Sequence, residues 1–114
     1  MKKRSDEMVL TSDIVRGHTD AIILSLLMKK DDYGYNINKH ITDISQGELE
    51  LKEATLYTAF KRLEESGFIK SYWGDEDSGA RRKYYKITDS GRLEYEKQLA
   101  YWNRTRDIID KLVN

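Results

Sequence analysis

The segment Leu51 to Phe68, LKEATLYTAFKRLEESGF, constrains the fold more than any other stretch of the chain. Leu56, Ala59, Phe60 and Leu63 recur at i, i+3, i+4 and i+7, which is one apolar stripe on an amphipathic helix. The helix ends at Ser66-Gly67, where a glycine supplies the left-handed cap. Its start is less tidy, because Lys52 is a poor N-cap, although Glu53 in the first turn suits the positive end of the dipole.

Two helices are expected before this one. From Thr11 to Lys30, the residues Ile14, Ile22, Ile23, Leu26 and Leu27 keep helical spacing, and Lys29 and Lys30 suit the C-terminal end. Gly17 costs such a helix about 1 kcal/mol, so the helix is expected to begin or bend near His18-Thr19-Asp20. Asp31-Asp32-Tyr33-Gly34 punctuates the chain. Tyr35, Ile37, Ile41 and Ile44 then mark a shorter second helix ending near Gln46-Gly47.

After the third helix, Phe68 to Trp73 and Lys83 to Thr88 read as the two strands of a hairpin with a long polar tip from Gly74 to Gly79. Thr88-Asp89-Ser90-Gly91 opens a last helix, in which Tyr95, Leu99, Trp102, Ile109 and Val113 fall at heptad a and d positions. Arg106 breaks that stripe once. The expected fold is mainly α with a small β-hairpin, a winged helix-turn-helix followed by a C-terminal dimerisation helix. The boundaries are a flexible arm over 1–10, a DNA-binding domain over 11–88 and the dimerisation helix over 89–114.

Composition narrows the function. A chain of 114 residues buries one modest core, and any ligand site must share that core or form between subunits. Without cysteine or proline there is neither a disulfide framework nor a cysteine zinc site, and a reducing, cytoplasmic setting is the default. The basic start Met1-Lys2-Lys3-Arg4-Ser5 runs into Asp6 and Glu7 and is no secretory signal, and no apolar run approaches the ~20 residues of a membrane span. A net charge of +0 counts at first against nucleic acid, but the charge is segregated: Asp75, Glu76 and Asp77 stand just before Arg81, Arg82, Lys83 and Lys86.

Burying the third helix's stripe leaves Ala54, Thr55, Thr58, Lys61 and Arg62 on its outer side. Hydroxyls and cations suit the major groove, where threonine meets thymine methyls or phosphates and lysine or arginine donates to guanine. Arg81, Arg82 and Lys83 follow a glycine-containing loop and present cations on a wing, while Tyr35, Lys39 and Lys52 add phosphate contacts. The plainer alternatives are that Lys61 and Arg62 pair with Glu64 or Glu65, and that Arg81 to Lys83 pair with Asp75 to Asp77. Catalysis is not expected, since His18 and His40 lie on separate helices and no cysteine is present. Asp75-Glu76-Asp77-Ser78-Gly79 lacks the sixth-position glycine and closing glutamate of a calcium loop, so neither metal nor cofactor is expected. The competing class is a winged-helix module that binds protein and not DNA.

These residues resemble the PadR family of transcriptional regulators from about Gly17 to Gly91. The likeness rests on Tyr33-Gly34-Tyr35, on Glu53-Ala54-Thr55-Leu56-Tyr57-Thr58 through Lys61-Arg62-Leu63-Glu64, on Gly67-Phe68-Ile69, and on Gly79-Ala80-Arg81-Arg82-Lys83-Tyr84-Tyr85 with Thr88 and Gly91. The resemblance implies a homodimeric repressor that binds double-stranded DNA at a palindromic operator and pairs its last helix with the partner's last helix and helix 1. It adds Tyr57 to the DNA contacts. With one helix after Gly91, the chain is similar to the short branch and to its multidrug-responsive members, where Trp102 would face its symmetry mate across a pore. Two such rings could sandwich a small planar aromatic effector, with Leu99, Arg106 and Ile14 lining the slot. Arg106 disfavours cationic ligands and suits neutral or anionic ones.

Overall fold

The structure is a computed structural model that describes residues 15–74 and 81–114. Ile14, the arm over 1–10 and the acidic loop residues Asp75, Glu76 and Asp77 lie outside the described residues.

Helix α1 (Thr19–Lys29) begins after a turn at Gly17-His18, where the glycine weakens the helical run. Asp20 in its first turn and Lys29 in its last both complement the helix dipole. Ile23, Leu24 and Leu27 are buried, whereas Ile22 and Leu26 of the expected stripe are only partly so. The stripe is rotated because α1 packs against the three later helices and the third strand, and so has no single inner face.

A short strand β1 (Asp32–Tyr33) follows, which the sequence reading did not foresee. Asp32 is buried, and its carboxylate accepts from the Tyr33 N–H at 2.9 Å and from Asn36 Nδ2 at 2.8 and 3.0 Å. Those bonds satisfy a buried anion and anchor the first turn of α2 (Gly34–Ile44). Ile37 and Ile41 of α2 are buried, but Tyr35 and Ile44 face out, because the inner stripe here is one residue wide. Gln46 and Gly47, at φ 56° and 82°, turn the chain into a linker whose Leu49 and Leu51 return to the core. The Asn38 side-chain amide donates to the Leu51 carbonyl at 2.8 Å and accepts from the Leu51 N–H at 3.3 Å, which sets the entry to the next helix.

Helix α3 (Glu53–Glu65) buries Leu56, Ala59, Phe60 and Leu63, the four residues of the expected stripe. Lys52 makes no side-chain cap, and Gly67 closes the helix at φ 80°. Strands β2 (Ile69–Trp73) and β3 (Lys83–Ile87) pair antiparallel from Ile69↔Ile87 to Trp73↔Lys83. β1 adds to the far edge of β3 through Asp32↔Tyr85 and Tyr33↔Tyr84, so the sheet order is β1-β3-β2. Tyr85 lies on the inner side of the sheet and stacks on Phe60, ring centroids 4.1 Å apart, which ties the sheet to α3.

Helix α4 (Asp89–Val113) is capped by Thr88, whose hydroxyl accepts from the Gly91 N–H at 3.0 Å. Its first half packs against α1, with Tyr95, Gln98 and Leu99 partly buried and Arg92 reaching the Met28 sulfur at 3.5 Å, and its second half is largely exposed. Among the described residues no helix is long and apolar enough to cross a membrane.

Candidate nucleic-acid interface

Burial of the α3 stripe turns Ala54, Thr55, Thr58, Lys61 and Arg62 outward, and all five are exposed. Tyr57 is 45% exposed and leans edge-on against Phe60, 5.4 Å between centroids. From Ala54 to Arg62 the helix carries no carboxylate, so this face offers hydroxyls and cations only.

The two edges of that face look onto different neighbours. On one side Tyr57 joins Tyr33, Gly34, Tyr35, Arg82 and Lys83 around a hollow of about 470 Å³, which connects α3 to the wing. Gly34 leaves room for that ring: a Cβ at this position would meet the Tyr57 hydroxyl and stand 2.8 Å from its Cζ. The wing cations lie over aromatic rings, Arg82 over Tyr33 at 4.7 Å, Arg81 over Trp73 at 5.8 Å and Lys83 over Tyr85 at 5.7 Å. Contacts of this kind fix the direction in which each cation is presented. The sheet's outer side continues the pattern, with Tyr33, Tyr84 and Tyr72 side by side across the three strands. Tyr72 donates to Asp31 at 2.6 Å, and that bond pushes its phenol up to about 12.

On the other side Ala54, Thr55, Thr58 and Arg62 border a broad open groove of about 1920 Å³ shared with the start of α1 and with Gln98, Leu99, Tyr101 and Trp102 of α4. Arg62 does not pair with Glu64 or Glu65. Its guanidinium reaches Asp20 on α1, through Nε at 3.3 Å and through a closer contact of the terminal nitrogen, which holds its proton more firmly than usual. Glu64 instead accepts from the Ser71 hydroxyl at 2.8 Å. Lys39 is paired with Asp43 one turn on, at 3.0 Å, and both are more than half exposed. A solvent-exposed pair of this kind is weak and yields readily to a phosphate. Tyr35 and Lys52 are free to approach from the N-terminal side, both being exposed.

Residues 23–97 match the PadR-like family of transcriptional regulators. The chain belongs to that family. It is also 47% identical to a transcriptional regulator of Clostridium thermocellum, whose structure superposes with a TM-score of 0.84 over 90% of this chain and all of that one. A PadR family transcription regulator of Clostridium difficile R20291 is 39% identical, with a TM-score of 0.74 over 85% of this chain and 99% of that one. An uncharacterised protein of Lysinibacillus sphaericus is 43% identical over 102 residues, 90% of this chain and 94% of that protein. As a PadR-family regulator the chain is a DNA-binding protein, and the three-stranded sheet on which its wing is built is the one element of the fold its sequence left incomplete.

The effector positions expected from the PadR resemblance divide. Trp102 is 39% exposed and, with Leu99, lines the broad groove. Arg106 sits over the Trp102 ring at 5.8 Å but outside the groove lining, and Ile14 lies outside the described residues. The sequence offers no partner for His18, yet its ring meets Trp102 edge-on with centroids 4.9 Å apart. No periodicity could have shown that pairing; the helix break at Gly17 was its one signal.

Proposed function

We propose that this chain is a cytoplasmic repressor that binds a palindromic operator as a homodimer, each subunit placing α3 in the major groove and the β2–β3 wing on the adjacent backbone. The reading assigns Ala54, Thr55, Tyr57, Thr58 and Lys61 to the groove, and Tyr35, Lys39, Lys52, Arg81, Arg82 and Lys83 to phosphates. One observation carries it: the carboxylate-free face of α3 stands exposed, and its Tyr57 shares a hollow with the wing residues Arg82 and Lys83. Residues 11–88 then serve as the DNA-binding domain and 89–114 as the dimerisation helix. The second half of α4 supports pairing, since Tyr101, Trp102, Ile108, Ile109, Leu112 and Val113 remain uncovered in the single chain.

A small planar aromatic effector, neutral or anionic, fits between the Trp102 rings of two subunits. Its binding would alter the separation of the two α3 helices, which must match half-sites roughly 34 Å apart.

Titration of labelled duplexes between about 50 and 200 mM salt tests the DNA reading, with affinity expected to fall steeply because releasing phosphate-bound counterions gains less entropy in a saltier solution. Binding that stays flat over that range, or a chain that is monomeric at micromolar concentration, would overturn it.

A further inference from the structure

We infer that Asp20 is a positioning residue for DNA binding: it holds Arg62 away from the duplex, so that the groove is read by Thr55, Thr58 and Lys61 without the strongest cation on that face. The inference rests on the DNA reading above and adds a control to it.

Arg62 is the only arginine on the exposed side of α3. Arginine's planar fork is the side chain best suited to guanine and to phosphate. Its fork is nevertheless committed within the protein, to both carboxylate oxygens of Asp20. The pair is not a loose surface contact. Asp20 is about a quarter exposed and Arg62 half exposed, and the two helices they join are packed against each other. Arg62 belongs to the α3 edge that borders the groove with α1 and α4, away from the wing hollow. Asp20 also places a negative charge beside the groove-reading face, where it disfavours any phosphate that approaches Arg62.

The placement of Asp20 is itself set by the turn at Gly17-His18. His18, two residues earlier, packs on Trp102. The first turn of α1 therefore touches both α4 and the recognition helix, and a shift of that turn would change how firmly Arg62 is withheld.

The test compares the full-length wild type with Asp20→Asn, Arg62→Ala and the double variant, binding a non-operator duplex from about 50 to 200 mM salt. Asp20→Asn is expected to bind several-fold more tightly at low salt, with a slope of log affinity against log salt steeper by about one, the mark of one added phosphate contact. Asp20→Glu, which preserves the pair, is expected to keep the wild-type slope. Arg62→Ala alone should leave that slope unchanged, and adding it to Asp20→Asn should abolish the gain. The inference is overturned if Asp20→Asn keeps the wild-type slope, or if the double variant retains the gain, since the effect would then be bulk charge alone. A wild type that binds DNA with no salt dependence would sink the DNA reading itself, an outcome distinct from either of these.

Discussion

His18 meets Trp102 edge to face, with ring centroids 4.9 Å apart and planes at 72°, and so joins the first turn of α1 to the middle of α4. The contact fixes one side of the indole within the subunit, while Arg106 lies over the ring at 5.8 Å and the indole also borders the groove. The position at which an effector would stack is therefore attached to the helix that also carries Asp20.

In a Trp73→Phe chain, fluorescence reports Trp102 alone. A neutral or anionic planar aromatic is expected to quench that signal saturably, and Trp102→Ala to weaken its binding about tenfold, the loss of stacking on two rings at ~0.5–1.5 kcal/mol each. Equal affinity of wild type and Trp102→Ala, measured by calorimetry, would remove Trp102 from any effector site.

Gly34→Ala separates folding from DNA binding. The added methyl meets the far end of the Tyr57 side chain, which can swing away, so stability should fall by no more than about 1–2 kcal/mol. The displaced phenol, however, leaves the hollow between α3 and the wing, and operator affinity should drop about tenfold, on the order of 1.4 kcal/mol. A thermal melt and a DNA titration of the same preparation check both halves. Unchanged DNA affinity would show that Tyr57 is not placed by Gly34.

At Gly91 the obstacle is backbone. A Cβ there would overlap the Phe68 carbonyl oxygen and approach Ile87 Cγ1 to 2.8 Å, where the start of α4 meets the turn between α3 and β2. Neither neighbour can rotate aside. Gly91→Ala should therefore cost about 2–3 kcal/mol in urea unfolding, near the upper end for overpacking. A midpoint within error of wild type would contradict the close approach.

Tyr85 makes the fold sensitive to alkali. Burial, with smaller contributions from Glu64 and Tyr57, pushes its phenol up from 10.0 to about 12. The folded chain thus keeps a proton that the unfolded chain releases, so stability holds below pH 10.0 and falls as pH rises from there toward about 12. The expected loss is on the order of 2 kcal/mol across that window. Tyr85→Phe should flatten much of the fall in melting temperature, leaving the part due to Tyr72, whose phenol is raised in the same direction by Asp31. A Tyr85→Phe chain as alkali-sensitive as wild type would show that the buried phenol is not the cause.

What the sequence determined by itself was whatever repeats within a few residues. The stripe Leu56-Ala59-Phe60-Leu63, the left-handed Gly67, the break at Gly17 and the pairing of 69–73 with 83–87 all follow from helix and strand period and from backbone sterics, which act along the chain. The exposed side of α3 was legible for the same reason, being the complement of a buried stripe. Strand β1 was not, because two residues have no period and Asp32 is a poor strand former until Asn36 and Tyr33 satisfy its carboxylate. The partners of Arg62 and Trp102 were equally hidden: nearby Glu64 and Glu65 were the natural guesses, whereas Asp20 lies 42 residues away. Only the packing of α1 between the sheet, α3 and α4 decides which distant side chains meet, because a contact between faces depends on how elements are rotated against one another and not on their own repeat.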